Sequence, residues 1–245
     1  MNSGLYTAYS GLRAQSDALE VIANNLANIN TTGFKEERAF FSLLEESIES
    51  GQAPHEISRI TNRSVRAHGS LNTSEGSLVP TNRDLDIAIT GQGFLVVQAP
   101  QGIRYTRNGN LALNAQSVLT TSEGFPVLGV SGRPITLGPG KIQISGDGTI
   151  MLDNRPVDQL KLTAFGDISK LDQEGSSLFI YRGDPGSVKA ADATVQSGYL
   201  EQSNVNSIAS VVRMIEIMRH FEAIQKSVNL LMNDVNAKAI DKLGR

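Results

Sequence analysis

Two apolar stripes with helical spacing, one near each end of the chain, constrain the fold more than any other feature. Near the N-terminus, leucine recurs every seven residues, at Leu5, Leu12, Leu19 and Leu26. Ile22 and Ile29 add further apolar residues at the a/d spacing of a heptad repeat. The pattern predicts one helix from about Ser3 to Asn30, with Gly33 suited to a left-handed C-terminal position.

The second stripe lies close to the C-terminus and is longer. Its apolar residues follow one another at spacings of three or four: Ile208, Val211, Ile215, Met218, Phe221, Ile224, Val228, Leu231 and Val235. Neither glycine nor proline occurs between Val205 and Leu243. A helix from about Val205 to Lys242 is therefore predicted, with its N-cap within the polar segment 203–207.

The middle of the chain has a different character. Most glycines and nearly all prolines lie there, between short runs of β-forming residues such as 86–89, 94–97, 142–144 and 160–165. Asp147-Gly148 is typical of a two-residue hairpin turn. We expect an antiparallel β domain of many short strands. Ahead of it, residues 40–48 are predicted to continue as helix, and residues 51–66 to form an extended connector.

The narrow stripe of the first helix suits a partner helix better than a sheet, and the obvious partner is the C-terminal helix. The predicted fold class is α+β, with the N- and C-terminal helices paired in a coiled-coil-like core and a central antiparallel all-β domain inserted between them. The predicted segments are 1–33 (N-terminal helix), 34–68 (connector), 69–198 (β domain) and 199–245 (C-terminal helix). A lone helix pair would be marginal, because ordering each backbone residue costs about 1–2 kcal/mol. Further burial is expected from neighbouring subunits.

Composition excludes several classes of function. The chain has no cysteine, so disulfides, thiolate metal sites and cysteine nucleophiles are ruled out. The net charge is −3 without a basic block, and aromatic residues make up 5%, which argues against nucleic-acid binding. No apolar run approaches about 20 residues, and the N-terminus lacks the pattern of a cleavable signal peptide. Taken alone, these features indicate a cytoplasmic protein, unless export uses no cleavable signal.

Few residues suggest chemistry. Asp84 and Asp86 lie two apart and could face the same way on a strand, but a solvated strand edge is the better interpretation. His55, His68 and His220 fall in no metal-binding motif, and His220 is expected on the polar face of its helix. No catalytic, cofactor-binding or metal-ligating residue is predicted.

Three groups of residues carry a family resemblance. The segment Ala23–Asn28, followed by Thr32-Gly33-Phe34-Lys35, resembles the N-terminal signature of the flagellar rod and hook proteins. Residues 198–205 are similar to that family's second signature, which precedes its closing helix. Residues 86–94 and 105–109 are similar to its β domain. The matches occur in the family's order at both ends and in the centre, and the length resembles that of the rod members.

The resemblance implies a structural rod subunit and not an enzyme, with no cofactor and no small-molecule substrate. It also implies export by the flagellar type III apparatus without a cleavable signal, and assembly in the periplasmic rod with further copies and with other axial proteins. The terminal helices would form the tube wall and transmit torque from motor to hook. The alternatives are a hook-type or accessory axial protein, such as an export cap or chaperone, and a β-domain hydrolase or carbohydrate-binding protein.

Assembly through both chain ends predicts which residues meet other subunits. Asparagine amides near the end of the first helix would fix register across subunit contacts, and Phe34 would anchor in a neighbouring groove. The predicted assembly residues are Leu5, Leu12, Leu19, Ile22, Asn24, Asn25, Leu26, Asn28, Ile29, Phe34, Asn204, Val205, Ile208, Ile215, Met218, Phe221, Val228 and Leu231.

Overall fold

The computed structural model of the chain describes residues 2–47 and 61–243. Helix α1 spans Asn2–Ala27 and helix α2 spans Ser207–Leu243. The strands are β1 (Glu37–Ser47), β2 (Thr61–Leu71), β3 (Leu78–Pro80), β4 (Ile87–Gly91), β5 (Phe94–Ala99), β6 (Gly102–Thr106), β7 (Leu111–Leu113), β8 (Leu119–Thr121), β9 (Ile142–Ile144), β10 (Thr149–Leu152), β11 (Arg155–Gln159), β12 (Leu162–Phe165), β13 (Leu171–Glu174), β14 (Leu178–Tyr181), β15 (Val188–Ala190), β16 (Ala193–Ser197) and β17 (Tyr199–Glu201). Short 3₁₀ turns occupy Ile168–Lys170 and Pro185–Ser187. The α+β class predicted from the sequence is confirmed.

The chain divides into two compact units. Unit 1 comprises Met1–Leu26, Glu37–Ser70 and Ser207–Arg245. It therefore contains both helices and the β1–β2 pair. Unit 2 comprises Ala27–Glu36 and Leu71–Asn206. The short segment 27–36, which the sequence had placed mostly with the N-terminal helix, thus belongs to the β-rich unit.

Unit 1 contains one difference from the sequence prediction. Residues 40–48 were expected to continue as helix, but Glu37–Ser47 is strand β1, which pairs with β2 in a two-stranded sheet. Phe40 and Phe41 within it are exposed. Aromatic residues suit a strand, and the pairing partner lies too far along the chain for local periodicity to reveal it. Most of the predicted connector 51–66 lies outside the described residues.

Unit 2 is built from small antiparallel sheets. A six-stranded sheet has the order β13-β14-β6-β5-β12-β15, and a three-stranded sheet has the order β11-β10-β9. Three two-stranded sheets pair β16 with β4, β17 with β3, and β7 with β8. In two of them a strand near residue 200 pairs with one near residue 80, so the end of unit 2 closes onto its beginning.

Strand β5 separates the two hydrophobic cores of unit 2. Leu95 and Val97 join the main core, whereas Phe94 points into an aromatic core with Phe165 and Phe179. Alternate side chains of a strand face opposite sides, so a strand with a core on each side has an uninterrupted apolar sequence. The run Phe94–Val97 has this composition. The main core comprises Ile87, Ile89, Leu95, Val97, Leu111, Leu119, Val127, Ile135, Leu137, Ile142, Ile144, Ile150, Leu160 and Val195.

The turn at Asp147-Gly148 is one residue longer than predicted. Ile144 pairs with Ile150, and the Ser145 amide donates to the carbonyl of Thr149, leaving residues 146–148 as the loop. Gly148 has a φ of +82°. A three-residue hairpin loop with a left-handed glycine accounts for this geometry.

Asp86 is a second local correction. It was expected at a solvated strand edge together with Asp84. Instead its side chain is buried just before β4, and one carboxylate oxygen lies 3.3 Å from Nη1 of Arg83. Asp84 is exposed. The two carboxylates therefore do not share an environment.

We predict that Gly109→Ala destabilises unit 2. A Cβ at this position would lie 1.7 Å from the backbone oxygen of Ile87, which cannot move aside as a flexible side chain could. The expected loss is roughly 1–3 kcal/mol or more of unfolding free energy, measured by denaturant titration. Gly138→Ala is the control, because its Cβ would meet only the Leu152 side chain, at 3.7 Å. Equal stability of the two variants would contradict the prediction.

Candidate functional site

Three buried charged side chains meet inside unit 2, and we call Lys35, Arg107 and Glu201 the ionic junction. The Lys35 ammonium donates to Oε1 of Glu201 at 2.5 Å. Nη1 of Arg107 lies 3.3 Å from the other carboxylate oxygen of Glu201. The side chains of Lys35 and Glu201 are fully buried, and that of Arg107 is almost so.

Backbone groups complete the ionic junction. Lys35 also donates to the carbonyl of Ser74 at 2.8 Å. Arg107 donates to the carbonyls of Ile89 and Gly91, the latter at the end of β4. The amide of Gly76 donates to Oε1 of Glu201 at 2.9 Å. The junction thus connects chain segments near residues 35, 75, 90, 107 and 201.

The charges of the junction are unbalanced, since two cations share one carboxylate. Burial lowers the pKa of Lys35 most strongly, the ion pair and hydrogen bond with Glu201 raise it, and the nearby Arg107 lowers it further. The net direction is downward. The guanidinium of Arg107 also lies 5.2 Å from the ring centroid of Phe94, which adds a cation–π contact in a desolvated site.

Backbone contacts bring the two ends of unit 2 together beside the junction. The Gly33 amide donates to the carbonyl of Glu201 at 2.8 Å. Gly33 has a φ of +69°, and a Cβ there would lie 2.3 Å from the carbonyl carbon of Arg107. The position therefore requires glycine for two reasons, its left-handed backbone and the close approach of another strand.

Asn204 is a further connection between these ends. Its side-chain oxygen accepts from the Glu36 amide at 2.7 Å. Its side-chain nitrogen donates to the carbonyls of Asn72 and Ser74 at 2.8 and 2.9 Å. This predicted assembly residue thus makes its hydrogen bonds within the chain. Val205, next to it, is buried.

Phe34 differs from its predicted role. Its side chain is fully buried within its own chain, so it offers no exposed surface to a neighbouring groove. Gly33 and Lys35, the residues on either side of it, are buried as well.

In unit 1, Asn25 acts as a substitute for a backbone partner of β1. Its side-chain nitrogen donates to the carbonyl of Glu37 at 2.7 Å, and its oxygen accepts the Glu37 amide at 2.9 Å. Asn25 is itself buried. The amide predicted to set register between subunits is therefore engaged inside the chain, where it joins the end of α1 to the first residue of β1.

The buried stripe of α1 lies beside the leucine repeat and not on it. Ala14, Ala18, Ile22 and Asn25 are buried, whereas Leu12, Leu19 and Leu26 are only half-buried. Gly11 continues the buried stripe, and a Cβ on it would lie 3.9 Å from Cδ1 of Ile224 in α2. The buried stripe of α1 is thus made mainly of small residues, a composition that permits close approach of another helix.

Helix α2 has two different apolar faces. The first, at alternating spacings of four and three, is buried or half-buried and consists of Ser210, Met214, Ile217, Phe221, Ile224 and Val228. The second face is exposed, and we call it the outer stripe. It consists of Ile208, Val211, Val212, Ile215 and Met218, with exposed fractions from 42% to 77%.

The predicted assembly residues therefore fall into separate environments. Phe221 and Val228 lie on the first face of α2, and Ile208, Ile215 and Met218 on the outer stripe. On or just after α1, Asn24 is exposed, and Asn28 and Ile29 are half-buried. The side chains of Leu5 and Leu231 lie outside the described part of the structure.

The predicted carboxylates and histidine do not come together at a cavity. Among the described residues, no three His, Asp or Glu side chains could together hold a metal ion. A surface cavity of about 610 Å³ in unit 2 has Tyr105, Lys161, Tyr181 and Lys189 in its lining, but neither Asp84 nor Asp86. His220 is exposed on α2. Within the described ranges, neither helix is apolar enough over its length to cross a membrane.

Comparisons with known sequences match all three regions. Residues 5–35 match a family profile described as "Flagella basal body rod protein", residues 88–152 "Flagellar hook protein FlgE/F/G D1 domain", and residues 196–230 "Flagellar basal body rod FlgEFG protein C-terminal". The flagellar basal-body rod protein FlgF of Caulobacter vibrioides is 31% identical, covering 100% of this chain and 99% of its own. FlgF of Rhizobium meliloti is 33% identical over 100% and 99%. FlgG of Bacillus subtilis is 30% identical over 97% and 100%.

The chain belongs to the flagellar basal-body rod protein family. It is accordingly a structural subunit and not an enzyme, as the resemblance implied. Relatives named FlgF and FlgG match it at similar identity. Each of the three matched regions contains one charged residue of the ionic junction. Lys35 is the last residue of the first match, Arg107 lies in the second and Glu201 lies in the third.

Sequence reasoning missed the ionic junction and the small-residue stripe for different reasons. Gly11, Ala14 and Ala18 do follow helical spacing, but the larger leucines beside them gave the stronger apolar pattern. For the junction, only the presence of Lys35, Arg107 and Glu201 inside the family signatures pointed to them. Nothing local pairs residue 35 with residue 201.

We predict that Asn25→Asp destabilises unit 1. The new carboxylate would face the Glu37 carbonyl without the hydrogen that Asn25 now donates, so two acceptors would meet in a partly buried site. The expected cost is about 1–3 kcal/mol, seen as a lower thermal midpoint and faster hydrogen exchange of the Glu37 amide. Asn24→Asp adds the same charge at the exposed neighbouring position and should cost much less. Similar losses in both variants would contradict the assigned role.

Proposed function

We propose that this rod protein polymerises through α1 and α2 into the tubular wall of the flagellar rod, joined by further copies of itself and by other axial proteins, and that this shaft transmits torque from motor to hook. The single observation that supports this most strongly is the outer stripe of α2. This row of exposed apolar side chains runs over the first three turns of the helix. A contiguous apolar patch of this kind marks a protein–protein contact.

The two faces of α2 suggest two kinds of contact, one within the subunit and one between subunits. The residues of the first face, from Ser210 onwards, are buried or half-buried. This face includes Ile224, which lies close to Gly11 of α1. This supports pairing of the two helices within a subunit, in a coiled-coil-like arrangement with α1. The outer stripe remains for contact with neighbouring subunits.

The presence of two different exposed surfaces also suits the geometry of a helical polymer. Contacts between unlike surfaces repeat without closing when the rotation between subunits does not divide a full turn, and a helical filament results. A subunit needs at least two different surfaces for this. The outer stripe supplies one, and the exposed face of α1, which includes Tyr9, is a candidate for the other. Long helices along the shaft would resist twisting.

The predicted segments 1–33, 34–68, 69–198 and 199–245 would have different places in the rod. The first and last segments would form the shaft wall, and the β-rich segment would lie on its outer side. Membership of the family supports export through the flagellar type III apparatus and assembly in the periplasm. A chain without cysteine cannot form disulfides on reaching an oxidising compartment, which is compatible with that route.

We expect Val211→Asp combined with Ile215→Asp to block polymerisation without unfolding the subunit. Both side chains are already exposed, so the change costs little in the monomer, whereas burying two carboxylates in an apolar contact is strongly unfavourable. Circular dichroism should report unchanged helix content. Sedimentation and electron microscopy should show polymers only at a concentration about tenfold higher or more.

His220→Asp is the matched control for this experiment. His220 is also exposed on α2 but lies off the outer stripe. It should leave polymerisation and motility near the wild-type level. If the stripe variant assembles as readily as the control, the outer stripe is not an assembly surface and the proposal loses its main support.

Deletion of residues 228–245 tests the same proposal at the level of the helix. It removes Val228 and everything after it while leaving unit 2 intact. Rods should no longer form, whereas hydrogen exchange in the strands of unit 2 should be unchanged. A truncated protein that still builds rods would refute assembly through the end of α2.

A further inference from the structure

The last strands of unit 2 complete sheets that begin more than a hundred residues earlier. Strand β16 is the only partner of β4 among the described strands, and β17 is likewise the only partner of β3. The Gly198 amide donates to the carbonyl of Asp86 at 2.7 Å, and the Gln202 amide to that of Ser77 at 2.9 Å. Val195 fills part of the main core. Residues 193–202 therefore cover an edge that the preceding chain leaves open.

The ionic junction makes this closure depend on charge. Without Glu201, Lys35 and Arg107 keep backbone carbonyls, the Phe94 ring and the exposed Glu75 carboxylate nearby, but they lose the buried counter-charge. Burying two cations without a counter-charge is far more costly than burying a hydrogen-bonded ion cluster. The segment carrying Lys35 therefore cannot take its final buried position ahead of the carboxylate.

The six-stranded sheet is free of this restriction. Its strands, β5, β6 and β12 to β15, lie between residues 94 and 190, and its aromatic core of Phe94, Phe165, Leu171 and Phe179 lies within the same range. It requires neither Lys35 nor Glu201. This sheet can form from the middle of the chain alone.

We infer that Glu201 is a folding latch: unit 2 forms its six-stranded sheet first and closes last, when Glu201 arrives between Lys35 and Arg107 and brings residues 27–36 into the unit. In a chain that emerges N-terminus first, unit 2 stays incomplete until the segment just before α2 is available. The inference concerns the folding of unit 2 and does not depend on how the protein assembles.

The order of closure can be measured on the wild-type chain. During refolding from denaturant, pulse-labelling hydrogen exchange should protect amides of β5, β6 and β14 in an early phase. The amides of Gly33, Gly198 and Gln202 should become protected in a later phase, together with one another. Simultaneous protection of both groups, or earlier protection of Gly33, would overturn the latch.

Glu201→Gln tests the charge dependence directly. The variant keeps the size of the side chain but leaves two buried cations without a counter-charge. Because the junction forms after the main folding barrier, the unfolding rate should rise on the order of 100-fold or more while the folding rate changes little. A folding rate that falls as much as the stability does would place Glu201 in the early nucleus and overturn the inference.

Asp172→Asn is the matched control. Asp172 also pairs with an arginine, Arg182, but both side chains are more than half exposed. Its loss should change both rates by no more than a few fold. An equal effect of the two variants would show that burial of the charge does not matter, and would overturn the latch.

The double variant Lys35→Met with Glu201→Gln is a second test, which can be used if Glu201→Gln alone does not fold. It removes one of the stranded cations, so it should unfold more slowly than Glu201→Gln and fold at a near wild-type rate. A double variant no better than Glu201→Gln would contradict coupling between Lys35 and Glu201.

Discussion

The closure of unit 2 depends on the buried contact of Glu201 with Lys35 and Arg107. It involves residues from the beginning, middle and end of that unit. A buried ion cluster is a poor source of net stability, because desolvation cancels much of the attraction between its charges. Its value is conditional: each member is costly to bury without the others. An arrangement of this kind therefore favours one way of bringing distant segments together. The backbone hydrogen bond from Gly33 to Glu201 and the side-chain hydrogen bond of Asn204 to Glu36 connect the same segments.

Asparagine side chains act as backbone substitutes in both units. Asn25 satisfies the amide and the carbonyl of Glu37, and Asn204 bonds to backbone groups of residues 36, 72 and 74. Both lie where a helix meets β-rich chain and where backbone groups would otherwise lack partners. Asparagine can donate and accept at one site, which a carboxylate or a hydroxyl of similar reach does less well. Their placement near the ends of the helices explains why a poor helix former occurs there.

Helix α2 separates a half-buried apolar face from an exposed one, and the proposed assembly would use the exposed face. On α2, the face that includes Phe221 and Ile224 is covered, whereas the outer stripe of Ile208, Ile215 and Met218 is exposed. On α1, small residues lie in the covered stripe and the leucines at its margin. A helix that is apolar on two faces has more than one partner to satisfy. This agrees with a structural protein whose subunits meet through their terminal helices, as proposed for the rod.

The sequence by itself determined the two helices, the α+β class, several of the strands between residues 87 and 165, and the family. These features depend on local periodicity, turn residues and short signatures, all of which can be read within a few residues. Tertiary structure decided the rest. It turned residues 40–47 into a strand, because their partner is β2, and it buried Asp86 and Phe34. It buried Ala14 and Ala18 more deeply than the described leucines of the repeat, whose positions on the helix local periodicity had favoured. It also brought Lys35 to Glu201 across most of the chain, since only the folded chain removes water from both and makes each charge require the other.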